Sequence, residues 1–225
     1  MASLDNNTRP TIIGIGGLTS EVGKTTLLCE LLGAFPGWEA IKATRGHYRS
    51  CGKDPHTCCV SDLLSEQPVV HSGRELTYAA GKDTGRYWQA GASNVHWVIV
   101  TDEQVEAGIN LALSRVTAEG VFVEGNSFSE FVKPDFFVMV ARPDQTKMKS
   151  SARRMLNQVS AIYCSGIAAE SAQLKSWLSK SLLSVSPHVP VFYADELPRL
   201  LEFLQTKFQR RSVCESKLIA TLRAS

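Results

Sequence analysis

The chain has 225 residues, enough for one large α/β domain that buries most of its surface without disulfide staples. It is 44% hydrophobic and 20% charged, which excludes wholesale disorder and low-complexity architecture. A formal net charge of +2 excludes a global field that would steer it onto nucleic acid or an anionic membrane. No apolar run nears the roughly 18 residues of a membrane helix, and the opening Met1–Pro10 lacks an apolar signal core. The six cysteines then read as thiols or ligands rather than a disulfide framework. These features predict a cytoplasmic globular protein with neither a nucleic-acid nor a membrane partner.

In chain order, Thr11–Ile15 is a short apolar run of strand length. After a glycine-bearing loop, Leu27, Leu28, Leu31, Leu32 and Phe35 line one helix face that stops at Pro36-Gly37. Ala40–Lys42 and Val95–Val100 read as strands, and Thr101 with Gln104 forms a capping box for a helix bearing Val105, Ile109 and Leu113. Val121–Glu124, Phe136–Ala141 and Ala161–Cys164 are further strands, followed by a helix over Glu170–Leu183, a strand at Val189–Tyr193 and a helix over Glu196–Phe208. Continuous apolar strands alternating with amphipathic helices predict an α/β fold: a doubly wound, mostly parallel sheet with helices on both faces, forming one domain over 1–225. The stretch 44–91 resists this rhythm. It is turn-rich and polar, only Glu75–Ala80 and Tyr87–Ala90 look helical, and so long a weakly structured segment reads as a functional insertion.

The strongest chemical signal follows the first strand. Gly16-Gly17-Leu18-Thr19-Ser20-Glu21-Val22-Gly23-Lys24-Thr25-Thr26 leads straight into the leucine-faced helix. A glycine turn at a helix amino terminus aims backbone N–H groups inward and adds the positive end of the helix dipole, which suits a phosphate chain. Gly17, Thr19, Ser20, Glu21, Val22, Gly23, Lys24, Thr25 and Thr26 are therefore the expected nucleotide-binding residues, with Lys24 reaching the terminal phosphates and Thr25 a ligand for Mg2+. The usual phosphate loop has four residues between its glycines; here Leu18 stands at the expected first glycine and Gly17 lies one position earlier. No Asn-Lys-x-Asp guanine-reading motif is present, which weakens a simple GTPase reading without establishing adenine, so ATP is expected with GTP as the alternative.

In an open α/β sheet, ligands bind beyond the carboxyl ends of the strands. Glu124, ending the strand Val121–Glu124, is thereby expected on the phosphate-loop edge as a Mg2+ ligand; the plainer alternative is a solvated strand-end glutamate. Lys42 closes the second strand on the same edge, as a catalytic residue or a snorkelling strand-end lysine. Beyond it, Arg45, His47 and Arg49 form a basic loop suited to gripping the carboxylate or phosphate of an anionic small molecule. Cys51, Cys58 and Cys59 lack the spacing of standard zinc sites and read as plain thiols, with metal or sulfur carriage the alternative.

The loop Gly17-Leu-Thr-Ser-Glu-Val-Gly-Lys-Thr25 resembles the Gly-Thr-Asp-Thr-Glu-Val-Gly-Lys-Thr loop of dethiobiotin synthetase. Lys82-Asp83-Thr84-Gly85-Arg86, with Gln89-Ala90-Gly91-Ala92, resembles a stretch of the molybdopterin-guanine dinucleotide biosynthesis adapter, MobB. Both belong to one branch of P-loop NTPases, and the matching pieces cover much of residues 11–142. The resemblance implies Glu124 as a magnesium ligand, Asp83 as a second carboxylate (or else a helix cap), Arg86 as a further substrate-binding residue, and a homodimer. The Pro-Val that follows the substrate-site lysine in dethiobiotin synthetase is missing after Lys42, so that enzyme's own substrate is not implied.

Residues and resemblance together predict a Mg2+-dependent enzyme. It would use ATP or GTP to phosphorylate or activate an anionic small molecule, with Lys24, Lys42 and Glu124 catalytic. The alternatives are a MobB-like nucleotide-dependent adapter in molybdenum-cofactor maturation and a metal or sulfur carrier built on the cysteine loop.

Overall fold

A computed structural model describes residues 9–46, 60–144, 147–181 and 188–208. The strands are β1 (Thr11–Gly17), β2 (Glu39–Arg45), β3 (Val69–Ser72), β4 (Val95–Val100), β5 (Gly120–Glu124), β6 (Phe136–Ala141), β7 (Ala161–Cys164) and β8 (Val191–Phe192). The helices are α1 (Lys24–Ala34), α2 (Arg74–Thr77), α3 (Asp83–Gln89), α4 (Val105–Leu113), α5 (Ser150–Arg154), α6 (Ala172–Ser181) and α7, over 197–208. All eight strands join one sheet in the order β3-β4-β2-β5-β1-β6-β7-β8. Every pairing is parallel except that of β3 with β4.

The continuous apolar strands are explained by burial on both faces. Along β6, Phe136, Val138 and Val140 turn to one side, while Phe137, Met139 and Ala141 turn to the other. Leu27, Leu28, Leu31 and Leu32 of α1, Tyr87 of α3 and Leu200 and Leu204 of α7 cover the first side. Val105 and Ile109 of α4, Ala152 of α5 and Leu174 and Leu178 of α6 cover the second. Each of the α1 leucines is at most 1% exposed, which stabilises the fold by roughly 1.5–3 kcal/mol per side chain. Doubly wound architecture follows from those two helical layers. Among the described residues no helix is long and apolar enough to cross a membrane.

Three details depart from the sequence reading. The insertion over 44–91 contains β3, an antiparallel edge strand that its polar, alternation-free sequence hides; main-chain pairing to β4, from Val69↔Ile99 to Ser72↔His96, holds it. Strand β2 runs past Lys42 to Arg45 because β4 continues beside it, pairing Thr44 with Ile99 and Arg45 with Val100. The Thr101–Gln104 box is half formed: Gln104 Oε1 accepts from Thr101 N–H at 3.0 Å, and its amide donates to Ser65 and Glu66 carbonyls in the insertion. The cysteine-bearing part of the insertion, with His47, Arg49, Cys51, Cys58 and Cys59, lies outside the described residues.

At the sheet end opposite the strand carboxyl termini, a buried polar network ties β2, β3 and β4 together. Glu39 Oε2 lies 2.7 Å from His96 Nε2, and His96 Nδ1 lies 2.8 Å from Ser72 Oγ. Glu39 Oε1 accepts from Thr117 N–H, the Thr117 hydroxyl and Ala118 N–H at 2.9–3.0 Å. Burial alone would raise the Glu39 carboxyl, but hydrogen bonds from His96, Thr117 and Ala118 outweigh it and hold the group below the ordinary carboxylate range. A depressed carboxyl contributes stability that is present above the unfolded value, roughly 4.3, and is lost as pH falls through the folded one. Glu39→Ala strands these donors and should cost about 1–3 kcal/mol in urea unfolding at neutral pH. The deficit should shrink in acid, and an unchanged midpoint would dismiss the network.

Candidate functional site

The register of the sheet sets the site. Ile15 of β1 and Lys42 of β2 both pair with Glu124 of β5, so the ends of three adjacent strands stand level at the carboxyl edge. From β1 the chain turns through residues 18–23 into α1. Two positions allow this turn. Gly23 at the helix start has φ +93°, a left-handed conformation that glycine adopts without penalty and that leaves no side chain to cap α1. Glu21, with φ +56°, is the one non-glycine of positive φ among the described residues and stores local strain within the loop.

Asn126, just past the end of β5, braces the loop. Its Oδ1 accepts from Gly17 N–H at 2.8 Å and its Nδ2 donates to Gly17 carbonyl at 3.0 Å, so one side-chain amide pairs both main-chain groups of Gly17, where β1 gives way to the loop. Gly16 is needed for that approach: a Cβ there would stand 2.5 Å from Asn126 Oδ1 and from the Phe137 ring.

Glu124 is 2% exposed and fully engaged. Its Oε1 accepts from Lys42 Nζ at 2.6 Å; its Oε2 accepts from Thr25 Oγ1 at 2.9 Å and from the Tyr87 hydroxyl. Lys42 Nζ also lies 2.6 Å from Asp83 Oδ2 at the start of α3. Four expected site residues, Thr25, Lys42, Asp83 and Glu124, therefore form one cluster.

Charge in the cluster is mutually tuned. Burial works against the Lys42 ammonium, yet Glu124 and Asp83 overcome it and raise its pKa. Burial likewise works against ionised Asp83, and the hydrogen bond from Lys42 overcomes it, aided by Thr25 and Arg86, leaving the carboxyl below its ordinary range. Lys24 goes the other way: burial and the neighbouring Lys42 and Lys149 lower it, against the pull of Glu124 and Asp83. Tyr87, wholly buried beside Glu124, is raised well above its ordinary value by burial and then by that negative neighbour, so its hydroxyl keeps its proton and donates.

The basic residues of the sequence reading separate. Arg86 donates to Thr26 Oγ1 at 3.1 Å, over the first turn of α1. Arg45 pairs with Asp102 at 2.7 Å and lines a cavity of about 160 Å³ together with Gly17, Lys24, Asn126 and Lys149, a cavity that Arg86 does not line. Asp83 opens α3 and turns its carboxylate into the cluster, so the helix-start and site readings meet in one residue. Of the remaining cysteines, Cys29 is half-buried on α1 with its thiol pushed up by burial, and Cys164 is buried against Ser171.

Three participants escaped the sequence reading. Tyr87 looked like an ordinary core aromatic, although its place four residues after Asp83 on α3 puts both on one helix face. Asn126 was signalled only by lying two residues past Glu124 at a strand end. Lys149 carried no signal. It reaches the loop because its own N–H donates to Leu18 carbonyl at 2.9 Å and its Nζ to Ser20 Oγ at 2.6 Å.

No family model matches the chain, and no curated protein matches it. Solved structures do. HypB from Helicobacter pylori, determined in complex with nickel, is similar over 90% of this chain and 89% of its own, with 13% identity and a TM-score of 0.50. LpxK from Aquifex aeolicus, in complex with ATP, is similar over 83% of this chain and 54% of its own, with 15% identity and a TM-score of 0.46. The signal recognition particle receptor FtsY from Elizabethkingia anophelis covers 83% of this chain and 58% of its own, with 14% identity and a TM-score of 0.38. At such identity the likeness to HypB concerns the fold alone, and that fold is the α/β P-loop NTPase fold.

The ion-pair cluster makes a testable statement about pH. Asp83 is depressed and Lys42 raised, so their pairing stabilises the fold above the unfolded carboxylate pKa. The contribution disappears as pH falls through the Asp83 value or rises through the Lys42 value. With chelator present, Lys42→Met should melt below wild type across the neutral plateau and converge with it in acid, as Asp83 protonates. Melting curves offset equally at every pH would remove the pairing from the account.

Proposed function

We propose that this P-loop NTPase fold binds a nucleoside triphosphate, ATP or GTP, with Mg2+, and uses it to phosphorylate or activate an anionic small molecule. In this reading residues 1–225 act as one nucleotide-binding domain. The observation that carries the proposal is the direct hydrogen bond from Thr25, at the start of α1, to Glu124 at the end of β5, 2.9 Å long. It joins the hydroxyl and the carboxylate that a phosphate-bound magnesium site calls for.

The donors fit such an ion. Thr25 Oγ1, Glu124 and Asp83 are hard oxygen ligands, the kind Mg2+ prefers, and the three are linked through Lys42 and Thr25. Among the described residues no cluster of three or more His, Cys, Asp or Glu is placed to hold a metal ion. Mg2+ at nucleotide sites needs none, because one or two carboxylates with substrate phosphates and waters complete its shell. When bound, the ion would neutralise charge developing on the phosphates.

The chain's own groups supply the rest. The N–H groups at the uncapped start of α1 and in the loop, Gly17 to Thr26, would cradle the phosphate chain, with Thr19, Ser20, Glu21 and Val22 forming its wall. Lys24, deprived of water by burial, would meet the terminal phosphates as a strong point charge. Lys42 holds Glu124 and Asp83 in register and would share its charge with the transferred group. Catalysis of this kind is largely positioning and charge neutralisation, for which these groups suffice. Arg45 would serve the anionic acceptor; Arg86, bonded to Thr26, is the better placed of the two for the nucleotide side. His47 and Arg49 are proposed substrate residues outside the described part of the chain.

A second reading draws on α3. Its Asp83-Thr84-x-Arg86 carries the resemblance to the MobB adapter, and Asp83 enters the cluster. As an adapter the chain would act as a switch: hydrolysis would stay slow with any small molecule and accelerate only with a protein partner. The homodimer implied by the resemblance belongs to both readings.

Titration calorimetry with Mg-ATP and Mg-GTP decides the first step. Wild type should bind at least one of them, and Lys24→Ala should lose at least about tenfold in affinity, about 1.4 kcal/mol. Glu124→Gln should retain nucleotide binding and lose most Mg2+-dependent turnover. Absence of heat from both triphosphates with wild type would overturn the proposal, and unchanged turnover in Glu124→Gln would remove the glutamate from the metal's surroundings.

A further inference from the structure

Lys24 divides two unlike environments. On one side are the carboxylates Glu124 and Asp83, engaged by Lys42, Thr25 and Tyr87. On the other is the cavity of about 160 Å³, whose described lining includes the cations Lys24, Arg45 and Lys149 and the hydroxyls of Ser127 and Ser151. No carboxylate belongs to that described lining. Arg45 has its own counter-charge in Asp102, 2.7 Å away at the rim. Lys149 has a neutral partner, the Ser20 hydroxyl, and among the described residues neither it nor Lys24 forms an ion pair.

Two ammonium groups lining one small polar cavity repel, and an anion bound there turns repulsion into attraction. Lys149 is also held for the task. Its N–H donates to Leu18 carbonyl and its carbonyl accepts from Arg153 N–H, at 2.9 and 3.0 Å, so its main chain is tied to the phosphate loop. Asn126 spends both ends of its amide on Gly17 and forms the floor rather than a ligand. Ser151 Oγ, 3.4 Å from Asn126 Nδ2, retains donor capacity beside Lys149. The cavity is smaller than the roughly 300–1,000 Å³ that encloses a drug-sized ligand, which suits one small anionic group.

We propose that this cavity seats the anionic group, carboxylate or phosphate, of the acceptor molecule, gripped by Lys149 and Ser151 against Lys24, with Arg45 at the rim. The acceptor role rests on the nucleotide reading above. It adds the place of the second substrate, on the side of Lys24 away from Asp83 and Glu124, and a specificity residue, Lys149, that lies more than a hundred positions from the loop it touches.

Calorimetry on the full chain tests it with inorganic phosphate and, separately, acetate as probes, each titrated into protein saturated with Mg-ADP. Wild type should bind at least one probe saturably, and which one identifies the group. Lys149→Met should weaken that probe at least about tenfold more than it weakens Mg-ADP, while Lys149→Arg should restore most of the loss. No saturable binding of either probe to wild type would overturn the proposal. So would probe binding indifferent to Lys149→Met, or an equal loss of probe and Mg-ADP, which would make the cavity part of the nucleotide seat. If Mg-ADP itself fails to bind, the same titrations on the free protein separate the two ideas: Lys149-dependent phosphate binding would then keep the anion site and sink the nucleotide reading.

Discussion

The arrangement depends on one buried carboxylate. Glu124 lies at the end of the strand beside β1, almost sealed from water, and its oxygens collect Lys42 from β2, Thr25 from α1 and Tyr87 from α3. An ionised carboxylate in such a place is tolerable only with a cation and hydrogen bonds to meet it. The same bonds that satisfy it fasten four elements to a common point. A site residue is here also a structural fastening, which explains why α3, emerging from an otherwise irregular part of the chain, packs so firmly against α1 and the sheet edge.

Around that carboxylate the charges are unevenly divided. On the α3 side the carboxylates Glu124 and Asp83 close on Lys42, whereas the cavity toward the segment that precedes α5 has only cations among its described charged lining residues, with Lys24 between the two. Cations gathered in this way cost free energy, because like charges sit within each other's field. In the proposed function that arrangement would lower the cost of binding a polyanion with its cation, since the charges are already aimed. The Asn126 clamp on Gly17 and the strained Glu21 lie at the two ends of the same turn, whose shape the clamp holds.

Much of this was legible from residue order. The phosphate loop announces itself by strand, glycine turn, Lys24-Thr25 and leucine-faced helix in succession, and Glu124 by ending an apolar strand. Both are local patterns, in which a backbone requirement and a side-chain requirement fall within a few residues. Lys42 and Asp83 were recognisable as candidates but not as partners, since nothing along the chain says that residues so far apart meet at Nζ and Oδ2. Tyr87, read as core, is indeed core, and its hydroxyl is what makes it more. The edge strand β3 and the extension of β2 stayed hidden because pairing with β4, not their own composition, makes them strands.

By itself, then, the sequence determined the class of fold, the order of most of its strands and helices along the chain, and the glycine turn that leads from β1 into α1. These follow from hydrophobic period and glycine placement, which act over one turn or one strand. Tertiary structure alone decided that β2, β5 and β1 end at one level, that Lys42 bridges two carboxylates, and that Lys149 crosses from a distant segment to the Ser20 hydroxyl. The reason is that register and crossover connections bring together residues whose separation in the chain carries no trace of their contact, and charges interact through space.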